Sequence, residues 1–295
     1  MLRVSNGPIP LTPVPLMLSN FLLGHELPLR LGFFLGVLGV MALWELRAPR
    51  RRWVAPKGLR WLNNLALVFL NSIILRWVFP VLAVGTAAMG EDRAWGLLNN
   101  WLVPDWLAGM LAIVALDLAI YLQHVMMHAV PALWRLHRLH HADPDFDVTT
   151  GARFHPLEIL LSMAFKLGLI AALGAPAVAV LIYEVLLNAT SMFNHGNVRI
   201  PERIDRTLRW FVVTPDMHRV HHSVLRQETD SNFGFNLPWW DRLLGTYRPQ
   251  PAAGHAGMTI GLGILREPRF LWLPWMLIQP ALDVEPEGSA RRSGN

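Results

Sequence analysis

Residues 157–193 form the longest apolar stretch of the chain, 37 positions. As one helix the stretch would measure roughly 55 Å, against a bilayer hydrocarbon core of roughly 30 Å. Gly174, Ala175 and Pro176 lie near its middle. The stretch is therefore predicted to be a hairpin of two membrane spans that returns the chain to the side it left. His155, just before the hairpin, and His195, just after it, must then share one membrane face.

The rest of the chain supports a membrane setting. Hydrophobic residues make up 53% and charged residues 16%, and mean hydropathy is +0.33, on the membrane side of the usual globular balance. Residues 31–46 read as a short first span between Arg30 and Arg47. Residues 65–88 read as a second, interrupted by Arg76 and Pro80, which predicts a kink and a polar face turned into the bundle. A third begins at Trp106 and runs through Asp117 and Tyr121 directly into the histidines that follow. The fold class expected is an all-α integral membrane protein with four to five membrane-embedded helices and a helical cap. Arg47, Arg50, Arg51, Arg52, Lys57 and Arg60 crowd one loop between apolar segments. That placement marks a juxtamembrane cytoplasmic loop rather than a nucleic-acid patch. Counting spans from it puts the histidines on the cytoplasmic face. The N-terminus lacks the pattern of a removable signal peptide and carries Pro8, Pro10, Pro13 and Pro15. Three regions follow: an N-terminal segment (1–30), a membrane-embedded domain (31–249), and a C-terminal part (250–295) with an interfacial segment at 270–282 and a disordered tail from Asp283.

Ten of the twelve histidines fall between His124 and His222. HVMMH supplies His124 and His128, HRLHH supplies His137, His140 and His141, and MHRVHH supplies His218, His221 and His222. Positions i, i+3 and i+4 share a helix face, so each cluster directs imidazoles to one side, and the hairpin brings all three clusters to the same membrane face. Eight imidazoles exceed what one four-coordinate ion uses, and two metals are the natural count. With no cysteine in the chain, thiolate zinc sites and iron–sulfur clusters are excluded. Imidazole suits iron, zinc, copper and nickel alike, and spacing does not choose among them.

Other candidates surround this set. His195 is favoured over His155 as a further ligand, with His155 expected to support the site from behind. Asp117 lies two helical turns before His124 and is expected to orient a ligand imidazole. Glu184 is expected either to act similarly or to pair with Arg76 or Lys166. Asp143, Asp145 and Asp147 read as solvated loop charges, and His25 and His255 as surface or interface residues. Met126, Met127, Trp134, Met192, Phe193, Trp239 and Trp240 either line a path for a hydrophobic substrate or simply pack. HExxH is absent, against a zincin-type hydrolase. A histidine-lined metal carrier is the remaining alternative, and it predicts histidines inside the spans rather than at their ends.

The segments HVMMH, WRLHRLHH, FHPLE, TPDMHRVHH and NFGFNLPWWDRLLGTY, spread over residues 117–247, together resemble the fatty acid hydroxylase and sterol desaturase superfamily of membrane di-iron enzymes. The resemblance implies that His124, His128, His137, His140, His141, His218, His221 and His222 bind two iron ions, with His195 matching a further histidine. Zinc is the metal expected to replace iron on purification. It further implies O2 as co-substrate and a lipid substrate, such as a sterol or fatty acyl chain, that is hydroxylated or desaturated. FNHGN carries one histidine where certain hydroxylases have a second HxxxH. No haem-binding or flavin motif is visible in the chain, so electrons are expected from a separate donor protein.

Overall fold

Helix boundaries fall where turn chemistry places them. The computed structural model describes residues 13–283, and these are all-helical apart from loops and two isolated bridges, Pro49 with Val198 and Ser223 with Ile260. Helix α1 is Pro13–Gly24 and α2 is Glu26–Arg47. The first span thus starts five residues before the predicted 31, because the charges that would have ended it are paired. Arg30 Nε donates to Glu26 Oε1 one turn back at 2.8 Å, and Arg30 Nη2 to Glu184 Oε2 at 2.6 Å. The predicted kink is a full break: α3 (Lys57–Val78) stops two residues before Pro80, and α4 (Ala83–Asp92) resumes after it, as expected of a residue that removes a helical N–H. Helix α5 is Asp105–Ala129, and α6 is Pro131–His141.

The long apolar stretch is the predicted hairpin, α7 (Pro156–Leu173) and α8 (Ala177–Asn194). Gly174 closes α7 with φ +64°, and a Cβ there would lie 2.4 Å from the Trp95 carbonyl oxygen. Only glycine meets both demands. Five stretches are long and apolar enough to cross a membrane, namely α2, the run Lys57–Asp92, α5, α7 and α8. Leu35 and Val40 of α2, Phe69 and Trp77 of α3, Met110 of α5 and Leu161 of α7 are among the large apolar side chains left exposed, the surface expected to face lipid. Between the helices, α4, α5, α7 and α8 pack around Leu116, Ile170, Val180 and Tyr183.

The remaining helices are short and sit at the His124 end of the bundle: α9 (Glu202–Leu208), α10 (Pro215–His221), α11 (Arg226–Thr229), α12 (Trp239–Leu243), α13 (Gly254–Gly257) and α14 (Leu273–Ile278). The segment 270–282 is more deeply packed than an interfacial reading implies. Met276 is fully buried against Leu67 of α3 and Leu139 of α6, and the Arg138 guanidinium donates to the carbonyls of Gln279 and Leu282. The expected disordered tail falls on residues 284–295, and Pro8 and Pro10 also fall outside the described residues.

Three acidic residues contradict their reading as solvated loop charges. Asp143, Asp145 and Asp147 are buried, Asp143 and Asp147 completely. Arg60, itself 0% exposed, reaches 83 residues along the chain and grips Asp143 with two bonds of 2.6 and 2.8 Å, and Asp147 with one of 2.7 Å. Asp145 accepts from the Val54 and Ala55 amides. Burial alone would raise the Asp143 carboxyl, but the Arg60 and Arg153 guanidinium groups outweigh it and hold Asp143 below the usual range. This network pins the loop after α6 to the foot of α3. Glu45 adds a second pin by accepting from the Val148 and Asn197 amides at 2.8 and 3.0 Å.

Candidate metal centre

Helices α5, α6 and α10, with the capping residues His195 after α8 and His222 after α10, bring nine imidazoles together in two groups. His124 and His128 from α5, His137 and His141 from α6, and His221 from α10 form one; His140, His195, His218 and His222 form the other. Within each group, one candidate ligand atom per residue lies within 4.8 Å of all the others. All nine histidines singled out from the sequence as candidate ligands are therefore assembled, His195 included. Its place is set by the hairpin, since it caps the C-terminus of α8.

Ring orientation follows from what holds each Nδ1. His124 Nδ1 meets the Phe233 carbonyl at 2.8 Å, His221 Nδ1 the Ser231 carbonyl at 2.8 Å, and His195 Nδ1 the Ser191 carbonyl at 2.7 Å. His137 Nδ1 meets Glu158 Oε1 at 2.6 Å. A carbonyl or carboxylate only accepts, so each of these Nδ1 atoms carries the proton and each Nε2 presents a lone pair. Those lone pairs point inward. His124 Nε2 and His137 Nε2 are 3.1 Å apart, and His195 Nε2 is 3.1 Å from His140 Nε2 and from His218 Nε2 and 3.2 Å from His222 Nε2. Between His124 and His137, whose Nδ1 atoms both carry the proton, two lone pairs face each other and repel, and a cation held between them turns the repulsion into attraction. Nε2 of His128, His141 and His221 is buried without a hydrogen-bond partner, a rare condition for a polar atom unless it has another use. The donor set fits divalent transition-metal ions.

Protonation agrees with that use. Burial first, and the neighbouring imidazoles after it, push His140, His141, His218, His221 and His222 well below the ordinary histidine range. Burial pushes His195 down to about 3. Neutral imidazole is the ligating form.

The supporting residues differ from those expected. Asp117 touches no imidazole, because two helical turns separate it from His124 by ~10 Å. It accepts from Asn236 Nδ2 at 2.7 Å and Trp240 Nε1 at 2.8 Å, and so anchors the strap of residues 231–241 whose carbonyls hold His124 and His221. Asp241 secures the same strap, accepting from the Phe233 and Gly234 amides at 2.8 and 3.0 Å. His155 stands outside both groups. Its Nδ1 accepts from the Leu157 amide to cap α7, and its Nε2 meets the Leu277 carbonyl at 3.0 Å. Glu184 is a charge pin, taking Lys166 at 2.7 Å besides Arg30. His25 lies at the start of α2 away from the site, whereas His255 is buried rather than on the surface, 3.7 Å from Asp216.

Glu158 is the residue that sequence reasoning missed. It follows His155 in FHPLE, and the signal available was a carboxylate in the first turn of a helix that starts on the histidine face. Trp134 lies against His128 and His141, with ring centroids 4.9 and 5.3 Å away. Of the proposed path-lining side chains, Met127 and Met192 line a cavity of about 900 Å³ that also reaches His124, His137 and Glu158.

Comparison with known proteins places this geometry. The family model described as fatty acid hydroxylase matches residues 109–246. Ornithine lipid hydroxylase OlsE of Rhizobium tropici is 28% identical over 240 residues, covering 77% of this chain and 70% of that protein. Alkylglycerol monooxygenase of Xenopus tropicalis is 29% identical over 154 residues, covering 50% of this chain and 32% of that protein. Cholesterol 25-hydroxylase of Rattus norvegicus is 25% identical over 145 residues, 48% of this chain and 47% of that protein. The chain thus spans less than half the length of the latter two. No solved structure matches it. The family match opens inside α5 and closes after α12, taking in every imidazole of both groups and the strap that orients them, and over these residues the chain is similar to the fatty acid hydroxylase family.

Proposed function

We propose that this protein is a membrane di-iron oxygenase that hydroxylates a C–H bond of a lipid, taking O2 and two electrons from a separate donor protein. The reaction balances as one C–H bond converted to C–OH while the second oxygen atom leaves as water with two protons and the two electrons. The observation that carries this reading is the inward convergence of unprotonated Nε2 atoms. Support for the substrate class comes from relatives whose names are lipid hydroxylases and monooxygenases, which favours hydroxylation over desaturation, and from a cavity bounded by α2, α3, α5, α7 and α8. His124, His128, His137, His141 and His221 would hold one iron, and His140, His195, His218 and His222 the other. Iron held there would activate O2 into an oxidant strong enough for an unactivated C–H bond.

The chain's own residues do the rest. Glu158, Phe233, Ser231 and Ser191 fix the rings of His137, His124, His221 and His195 before metal binds. Phe154 stacks on His140 with centroids 4.6 Å apart, and Phe146 covers His195 and His222, which keeps water from one side of the centre. Lys57 and the five arginines of residues 47–60 support a cytoplasmic position for this face, where a soluble donor can dock. A carrier reading fares worse, because both histidine groups sit at one end of the bundle and neither continues across it.

Metal analysis of protein purified in detergent is the direct test. Two irons per chain are expected, with O2 uptake on addition of reductant and a hydroxylated lipid by mass spectrometry. Zinc at the same stoichiometry would be replaceable by iron. Fewer than two metals in protein that oxidises lipid would overturn the assignment, as would full activity in His137→Ala.

A further inference from the structure

The cavity that reaches His124 and His137 is charged at its other end. Along α7, Glu158, Ser162 and Lys166 line it at successive turns, so Lys166 stands ~12 Å from Glu158. There Glu184 binds Lys166 at 2.7 Å and Arg30 at 2.6 Å, and Arg30 also binds Glu26 at 2.8 Å. This network accounts for two cations and two carboxylates, and it ties α2 to α7 and α8. It does not account for Arg76. Arg76 lines the same cavity from α3, ~7.5 Å along the helix past Asn71, whose side chain donates to the Phe154 carbonyl beside the metal centre, with Ile73, Ile74, Leu75, Trp77 and Val78 around it in sequence. Among the described residues it has no ion pair or hydrogen-bond partner. A charged side chain in an apolar span is costly and carries a functional expectation. Arg76 is exposed two residues before α3 ends at Val78, so its guanidinium can also reach an interface, and its place in the wall of a cavity that leads to the metal centre leaves it open to an incoming headgroup. Counting Glu26, Arg30, Arg76, Lys166 and Glu184, this end carries one net positive charge, centred on Arg76.

We infer that Arg76, beside Arg30 and Lys166, holds the acidic group of an anionic amphiphile, a carboxylate or a phosphate monoester, whose hydrocarbon then runs down the cavity to His124 and His137. The inference rests on the lipid oxygenase reading for its chemistry and adds substrate class and register. A fully extended chain advances ~1.2 Å per bond, since a three-bond residue spans ~3.3–3.6 Å. A separation of ~12 Å therefore places the oxidised carbon roughly ten bonds from the acidic group. Sterols without an acidic group do not satisfy this site.

Equilibrium binding of radiolabelled palmitate, hexadecyl phosphate and hexadecanol to immobilised full-length protein tests the inference without turnover. Palmitate or hexadecyl phosphate is expected to bind roughly ten-fold more tightly than hexadecanol, the size of one charge-assisted hydrogen bond, and the better of the two identifies the headgroup chemistry. Arg76→Gln should erase the advantage while leaving hexadecanol unchanged, and Arg76→Lys should restore most of it. Equal binding of acids and alcohol by the unaltered protein, or an Arg76→Gln variant that still prefers acids, would overturn the inference. In iron-loaded enzyme the hydroxyl should appear near the tenth carbon from the acid, and Arg76→Gln should scatter its position. Acid-selective binding without any lipid oxidation would reject the oxygenase reading and leave this site standing. Oxidation without acid selectivity would do the reverse.

Discussion

Replacement of Glu158 isolates the contribution of one orienting contact to one metal site. Glu158 Oε1 lies 2.6 Å from His137 Nδ1, and His137 Nε2 is one of the lone pairs of the five-imidazole group. Gln keeps an acceptor oxygen and the side-chain length but removes the charge. A hydrogen bond to an ionised group contributes about 1.5–3 kcal/mol and a neutral one about 0.5–1.5. The difference of about 1–1.5 kcal/mol predicts a roughly five- to ten-fold weaker first metal in Glu158→Gln. Ala removes the contact entirely, leaves a buried N–H unpaired and frees the ring to rotate, so a loss of about 10- to 100-fold is expected. The four-imidazole group contains no contact with Glu158, and its metal should stay. The assay is chelator competition followed by metal analysis. The stoichiometry in Glu158→Ala should fall from two toward one at a chelator concentration that leaves the unaltered protein full. Equal metal retention in Glu158→Gln, Glu158→Ala and the unaltered protein would refute the reasoning, and so would loss of both metals together.

Further outcomes follow from the same contacts. Arg60→Met leaves Asp143 and Asp147 buried without their partner, a loss of about 3–5 kcal/mol. Detergent-solubilised variant should unfold well below the unaltered protein, and Arg60→Lys should not rescue it, because lysine lacks the planar fork that spans two carboxylates. A Cβ on Gly151 would sit 2.6 Å from the Ser191 carbonyl oxygen, the same oxygen that orients His195. Gly151→Ala should therefore weaken the four-imidazole metal preferentially and cost about 1–3 kcal/mol. Asp117→Ala should loosen the strap, seen as new protease cleavage within residues 231–241, with a smaller loss of metal than Glu158→Ala. Acid has a predictable sign. His195 is depressed to about 3 in the fold against about 6.5 unfolded, so the unfolded chain binds more protons between those values. Stability of metal-free protein should fall with pH below about 6.5 by ~1.4 kcal/mol per unit for that group, and His140, His141, His218, His221 and His222 should steepen the slope. A pH-independent melting temperature between pH 7 and 5 would contradict this.

Legibility in the sequence tracked the range of the interactions. The hairpin turn at Gly174 and the helical faces of the histidine clusters depend on residues a few positions apart, and both were readable. His195 was readable only through topology, since it joins His140 across 55 residues. Glu158 and the Asp143–Arg60–Asp147 network were not, because nothing local separates a carboxylate that will be gripped by a distant arginine from one that will stay in water. Asp117 was correctly singled out as an unusual charge in an apolar helix. Its partner was misread, because sequence spacing along α5 pointed to His124 whereas its partners arrive more than a hundred residues later.

The way the histidine clusters divide has a consequence for assembly. HRLHH gives His137 and His141 to one group and His140 to the other, and MHRVHH gives His221 to one and His218 and His222 to the other. Neighbouring imidazoles that part company, His140 from His141 and His221 from His222, have centroids 5.3 and 5.4 Å apart. Two single turns of helix therefore act as a fixed gauge between the ligand sets. Inserting one alanine between His140 and His141 would rotate His141 by ~100° against His137 and His140, three ligands divided between the two groups, so neither pocket is an independent module that the chain could gain, lose or exchange alone.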